Sequence, residues 1–376
     1  MRDSGKSDIS RRGFFSAVGS GAIIAGRANA APPPPVYPLL RATGSHRELG
    51  RQHGEQATDK IKSHVAKIAA DSGYSHAQLR DRAVAFQSLF EKYSPHLLEE
   101  IRGLAEGARI SLAEALAVNI RDPLRLAAPQ GCTSFVIGRR GTFRHQTLAG
   151  KNSDMDPGIL SLGYMLHLKP VNKPEVLMWT FGGMIGYHGM NSVGVAEFDN
   201  ALFGEGPPRR WGMPHYPIKR LMLECDHVDQ IVRLYKTIPV AFNTNYVVCD
   251  RHDNILDIEA TTAGPEVLMD RGAGYLSHTN HFLSPVSPCC ENFPADWKDS
   301  FPRLARINSL IQAKLGSLAV DDFKQVLSDH AGYPTSICRH AGNSLTVSSL
   351  IAEPAERKMH VTFGNPCEAR YATYSM

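Results

Sequence analysis

The feature that most constrains this chain is a change of hydrophobic period at Gly131-Cys132. From residue 45 to about 119 apolar residues recur at helical spacing, as in Ile61, Val65 and Ile68 and again in Leu97, Leu98, Ile101 and Leu104. Each such stripe must be buried against something. The helix starts are marked. Ser45-His46-Arg47-Glu48, Ser75-His76-Ala77-Gln78 and Ser111-Leu112-Ala113-Glu114 are capping boxes, Ser94-Pro95 is an N-cap followed by proline, and Gly73 and Gly107 fall near helix ends. After Cys132 the pattern becomes short and β-rich, predicting strands at 134–137, 147–149, 165–168, 176–180, 193–198, 246–249, 255–260, 345–351 and 359–362. Helical patterns interrupt them at about 217–223, 228–236, 304–314 and 320–327. Helices first, then many short strands with helices between strand groups, predict sheets packed on each other with helices outside, not alternating βαβ units.

The first thirty residues stand outside that pattern. Ser10-Arg11-Arg12-Gly13-Phe14-Phe15 reads as a twin-arginine signal, followed by an uncharged stretch from 13 to 26 and the A-x-A site Ala28-Asn29-Ala30. That stretch is shorter than the roughly 20 apolar residues a bilayer span needs. The expectation is a signal peptide over 1–30, cleavage before Ala31, and a periplasmic or secreted protein with no membrane contact beyond the signal. Removing residues 1–30 takes five of 41 basic and two of 37 acidic residues, leaving 36 against 35. The basicity belongs to the signal, and nothing in the mature charge suggests nucleic acid. Seven cysteines, an odd count, suit one free reactive thiol with up to three bridges.

Cys132 is the expected nucleophile. A thiol that directly follows glycine can attack the preceding carbonyl, convert the peptide to a thioester, and leave a new N-terminal cysteine after hydrolysis. Glycine suits the position because it tolerates backbone conformations that other residues reach only at a cost of about 1 kcal/mol or more. The freed α-amine, with an intrinsic pKa of about 8, then serves as the general base. Other polar clusters read more modestly. Gly150-Lys151-Asn152-Ser153-Asp154-Met155-Asp156 has turn composition at a strand end. Asn243-Thr244-Asn245-Tyr246 opens a strand with an amide able to donate to an oxyanion. His278-Thr279-Asn280-His281 and Cys338-Arg339-His340 lack the H-E-x-x-H or paired C-x-x-C spacing of a metal site, so no metal and no cofactor are expected. Arg303 and Arg306 share a helical face, where they are either solvated or available to a thiolate or a substrate carboxylate. No P-loop, dinucleotide fingerprint or nucleophile elbow is present.

Together these stretches resemble the acyl-coenzyme A:isopenicillin N acyltransferase family of self-processing N-terminal-nucleophile (Ntn) hydrolases. The residues that carry the resemblance are 44–54, 100–119 with its Gly-x-Ala-Glu-Gly core, Gly131-Cys132-Thr133-Ser134, 150–154, Gly189-Met190-Asn191-Ser192-Val193-Gly194-Val195, Asn245-Tyr246, 278–281, 333–340 and Gly364-Asn365-Pro366-Cys367. They run in order over nearly the whole mature chain. The resemblance implies an α+β, four-layer αββα sandwich, cut at Gly131-Cys132 into a helical α chain (31–131) and a β chain (132–376) that stay associated. It implies Cys132 as nucleophile, Asp154 as the residue positioning its amine, Asn245 as oxyanion-hole amide, Arg303 near the nucleophile, and Arg306 as a weaker substrate-binding candidate. A Gly-Gln-Asn-Trp-Asp pattern common in the family reads Gly-Lys-Asn-Ser-Asp here, which puts packing and substrate preference beside Asp154 in doubt. The reading is an exported amidohydrolase that cleaves a small N-acyl amide. The alternatives are an acyltransferase, an unprocessed Cys-His hydrolase using His278, His281 or His340 as base, and a periplasmic binding protein of the same fold.

Overall fold

The computed structural model describes residues 34–120, 131–204, 206–208, 210–285, 293–342 and 344–376. The signal-like stretch, residues 128–130, Cys289 and Cys290 lie outside the described residues. The N-terminal third forms α1 (His46–Gln56), α2 (Thr58–Ser72), α3 (His76–Ala85), α4 (Gln87–Tyr93), α5 (Pro95–Ala108) and α6 (Leu112–Ile120). The predicted caps start them: Ser45 N donates to Glu48 Oε2 at 2.7 Å while Glu48 N donates back to Ser45 Oγ at 3.4 Å, and Ser75 and Gln78 repeat the exchange on α3. Helices α1 and α5 cross at backbone contact through glycine. A Cβ at Gly50 would lie 1.8 Å from the Glu100 carbonyl oxygen, and one at Gly103 2.0 Å from that of Arg47.

The strands are β1 (Leu39–Gly44), β2 (Cys132–Ile137), β3 (Leu148–Met155), β4 (Gly163–Pro170), β5 (Val176–Phe181), β6 (His188–Asn191), β7 (Ala196–Ala201), β8 (Thr244–Cys249), β9 (Ile255–Thr261), β10 (Gly264–Met269), β11 (Tyr275–His278), β12 (His340–Ala341), β13 (Ser344–Glu353), β14 (Lys358–Val361) and β15 (Ala372–Ser375). One sheet has the order β1-β4-β5-β6-β7-β8-β9-β10, antiparallel except for the β1–β4 pair, and the other β11-β2-β3-β13-β14-β15 with β12 beside β13. The later helices are α7 (His215–Met222), α8 (Val228–Thr237), α9 (Ser300–Gln312) and α10 (Val320–Leu327).

The period of two along β2 sorts its side chains into two buried layers. Phe135 and Ile137 join Ile307, Ile311, Phe323 and Leu327 of α9 and α10, whereas Val136 joins the core shared with the other sheet. Cys132 and Ser134 share the face of Val136 and so point between the sheets. With α1 and α8 packed on the first sheet and α9 and α10 on the second, the architecture is the α+β, four-layer αββα sandwich.

Two expectations need correction. The region before Cys132 is not purely helical, because β1 pairs in parallel with β4 and so stitches it into the eight-stranded sheet. Residues 150–154 are not a turn but the middle of β3, flanked by β2 and β13. Turn composition misled because these polar side chains are buried on both faces of a central strand, where tertiary partners override local preference.

Candidate active site

Cys132 opens β2 with its side chain only 6 % exposed. Its backbone is held from the α9 side. Arg303, one turn into α9 and buried, donates from Nη1 to Cys132 O at 2.6 Å and to Thr133 Oγ1 at 3.0 Å, and from Nη2 to Asn280 Oδ1 at 2.8 Å. Asn280 Oδ1 in turn accepts from Cys132 N at 3.0 Å. Asp299 clamps the guanidinium, accepting from Arg303 Nε at 2.7 Å and from Arg339 Nη1 at 2.8 Å. The fork geometry of arginine lets one side chain fix three acceptors at once.

Asp154 lies on the same side, in register with Thr346 of β13. Its N–H donates to Gly131 O at 3.0 Å, so the carbonyl preceding Cys132 is already hydrogen-bonded. Its Oδ1 accepts from Thr346 Oγ1 at 2.7 Å, while its buried Oδ2 has no hydrogen-bond partner among the described residues. Burial raises the Asp154 pKa above the usual carboxylate range, against the pull of Arg303 and Arg339. Gly131 occupies a crowded position directly before Cys132. Space is what requires glycine there: a Cβ would lie 2.9 Å from Asp154 Oδ2 and 3.0 Å from the Trp297 ring.

On the inter-sheet side, the departure from the family pattern at Lys151 fills the site with charge. Lys151 Nζ donates to Asp199 O at 2.5 Å and Asp199 Oδ1 at 3.0 Å, and lies 3.1 Å from His188 Nε2. Lys219 Nζ takes the other oxygen of Asp199 at 2.7 Å. Burial alone would raise the Asp199 pKa, but these two ammonium groups hold it well below its usual value; burial and the same cations keep His188 neutral. Burial likewise pushes the Cys132 thiol up, and the positive charge of nearby Lys151 opposes that rise. Glu197, fully buried with both oxygens lacking hydrogen-bond partners among the described residues, has its pKa raised well above the carboxylate range by burial. Lys151, Asp199 and Asn280 were not assigned from the sequence; only the substitution at Lys151 gave a signal.

Asn245 sits in β8 opposite Asn200 of β7, facing the layer that holds Ser134. Asn200 Nδ2 donates to Ser134 Oγ at 2.5 Å and to Asn245 Oδ1 at 2.7 Å, and Asn245 Nδ2 donates to Asp257 Oδ1. Burial lifts the Asp257 carboxyl to about 7. Arg306 is not brought to the site. Its side chain is 40 % exposed and paired with Asp329 at 2.6 Å, although it shares a helical face with Arg303. The candidate bases of a Cys-His pair are committed elsewhere: His278 Nε2 to Glu259 at 3.1 Å and His281 Nδ1 to Ser300 Oγ at 2.8 Å, while His340 meets Cys338 and Cys367. Among the described residues Cys132, Cys225, Cys249, Cys338 and Cys367 are all free, so the three bridges allowed by the count are not formed.

The profile of acyl-coenzyme A:6-aminopenicillanic acid acyl-transferases matches residues 143–368. The chain belongs to that family. It is accordingly an enzyme acting at amide bonds by acyl transfer or hydrolysis. Over 348 residues, 88 % of this chain and 95 % of the relative, it is 26 % identical to the acyl-coenzyme A:6-aminopenicillanic-acid-acyltransferase 40 kDa form of Emericella nidulans. Among solved structures it is similar to penicillin V acylase from Agrobacterium tumefaciens, at 12 % identity and a TM-score of 0.46 over 65 % of this chain and 86 % of that one. It is also similar to conjugated bile acid hydrolase from Clostridium perfringens, at 12 % identity and a TM-score of 0.41 over 65 % and 97 %.

Proposed function

We propose that this acyl-transferase family member is an exported amidohydrolase that cuts itself between Gly131 and Cys132 and then cleaves a small N-acyl amide through an acyl-thioester on Cys132. The observation that carries the reading is the Gly131 carbonyl, which accepts from Asp154 N–H directly before a buried cysteine. In processing, the Cys132 sulfur attacks that carbonyl carbon. The developing oxyanion stays on the Asp154 N–H, the C–N bond breaks, and the thiol proton ends on the leaving Cys132 nitrogen. Water then hydrolyses the thioester, giving a carboxylate on Gly131 and a free thiol. Departure of Gly131 frees the space beside Asp154 Oδ2. That oxygen and Asn280 Oδ1 then become acceptors for the new α-amine.

In turnover the neutral amine takes the Cys132 thiol proton, sulfur attacks the acyl carbon, and the ammonium returns the proton to the leaving amine. Water resolves the acyl-thioester in a second passage through the same groups. Asn245, with one N–H committed to Asp257, has a second for the tetrahedral oxyanion. Trp297 lies beside Gly131, its ring 5.1 Å from that of Phe203, which in turn is 6.5 Å from that of Phe293, and these rings suit an apolar acyl group. The name of the Emericella relative supports acyl transfer as well. Export by the twin-arginine signal favours water as the acceptor, since acyl-coenzyme A is a cytoplasmic donor. The strand β1 supports association of the two chains after cleavage, because its hydrogen bonds to β4 cross the cut. The test is the intact mass of purified wild type beside Cys132→Ala. Two fragments from the wild type, the larger beginning at Cys132, and one chain from the variant are expected. One uncut chain in both would end the self-processing reading.

A further inference from the structure

Around Arg339, four metal-binding side chains outside the Cys132 site converge. His330 follows α10, Cys338 and His340 flank Arg339 at the start of β12, and Cys367 follows β14. One donor atom from each lies within 4.8 Å of all the others. The separations are 3.2 Å between His330 Nε2 and His340 Nε2, 3.5 Å between Cys338 Sγ and His340 Nε2, 3.3 Å between Cys367 Sγ and His340 Nε2, and 3.5 Å between the two sulfurs. A tetrahedron with zinc–sulfur bonds of about 2.3 Å and zinc–nitrogen bonds of about 2.05 Å has edges of about 3.3 Å (N to N), 3.6 Å (S to N) and 3.8 Å (S to S). The four separations above fall within about 0.3 Å of these edges, and the two from His330 to the sulfurs lie within 4.8 Å. Hydrogen bonding does not account for the convergence. His340 Nε2 is approached by two thiols, an imidazole and the Asn365 amide, 3.3 Å away, yet a ring nitrogen has one lone pair or one proton to offer.

We propose that His330, Cys338, His340 and Cys367 bind one zinc ion. The Cys₂His₂ donor set with no open position is that of a structural zinc, not a catalytic one. Asn365 supplies the outer shell that such sites use, donating from Nδ2 to Cys338 Sγ at 3.5 Å and to Arg339 O at 2.8 Å. No motif marks the site in the sequence, because the ligands come from three segments and the two ligating cysteines are 29 residues apart.

The ion fastens a segment that supports the active site. Residues 329–339 contain no helix or strand. From this strap Arg339 reaches Asp299, which orients Arg303, which holds Cys132 O; the Arg339 backbone also exchanges hydrogen bonds with Thr346, the partner of Asp154. Zinc therefore anchors the far end of a chain of contacts leading to Cys132.

The experiment is metal analysis of the full chain purified without chelator, by elemental mass spectrometry and native mass. About one zinc per chain is expected, falling at least tenfold in Cys338→Ser and in Cys367→Ser. Because these variants can misfold, the wild type is also stripped of metal and titrated with cobalt(II). A 1:1 endpoint with thiolate-to-cobalt charge-transfer absorption, displaced by zinc, is the expected result. A folded wild type that holds no zinc and develops no cobalt absorption overturns the site. So does a Cys338–Cys367 disulfide in the isolated chain, two hydrogens lighter, that after reduction still takes up no zinc.

Discussion

Replacing Gly103 with alanine tests the packing that joins α1 to α5. In a free helix the change would help, since alanine is favoured over glycine by about 1 kcal/mol. Here the new Cβ would lie 2.0 Å from the Arg47 carbonyl oxygen and 2.8 Å from Arg51 N, both backbone atoms that no rotamer change can move. Carbon–oxygen contacts settle at about 3.3 Å or beyond, so the helix axes must part by more than about 1 Å. A gap of that size forfeits a quarter to a half of the dispersion well at each affected atom pair, and the packing it loosens is that of Leu49, Leu97, Ile101 and Leu104, all buried. Overpacking and the weaker dispersion together outweigh the propensity gain. We expect a net destabilisation of about 2–4 kcal/mol, read as a lower urea midpoint at unchanged slope. Gly73→Ala is the control. Gly73 ends α2 at a φ of 68° with nothing within 4 Å of a Cβ, so only about 1 kcal/mol of left-handed strain is expected there. If Gly103→Ala lowered stability no more than Gly73→Ala, the backbone-clash explanation would be wrong.

Two further outcomes follow from buried charge. Lys151→Gln removes the ammonium beside the Cys132 thiol while Lys219 still pairs with Asp199. The pH profile for alkylation of Cys132 by iodoacetamide should move to higher pH, and an unmoved profile would show that Lys151 does not act on the thiol. Glu224 is buried, and burial alone would raise its pKa. Arg220, 3.0 Å away, together with His96 and His46, instead holds it at about 2 against an ordinary 4.5. A depressed folded-state pKa contributes stability that is present above about 4.5 and lost as pH falls toward 2, here about 3 kcal/mol. Urea midpoints of wild type and Glu224→Gln should therefore differ at pH 6 and converge as pH falls to about 2. A gap that does not change with pH would refute the assignment.

The helices before residue 120 were legible because caps and apolar stripes are local signals, and the strands after Cys132 because β-rich runs are. The family resemblance named Cys132, Asp154, Asn245 and Arg303 from order along the chain, and the structure brings Arg303 to the backbone of Cys132 and Asp154 to Gly131. Other features could only be decided in three dimensions. Residues 150–154 look like a turn until β2 and β13 flank them. Arg303 and Arg306 look equivalent until α9 docks with one against Cys132 and the other toward Asp329. Lys151 looks like a surface charge until Asp199 and Lys219, from β7 and α7, meet it between the sheets. The thiols of Cys338 and Cys367, 29 residues apart, reach 3.5 Å only when β13 and β14 fold back on each other. Local sequence specifies backbone conformation over a few residues; the partners of a buried charge or a metal ligand are set by strand pairing and layer packing, which join residues with no sequence relation to one another.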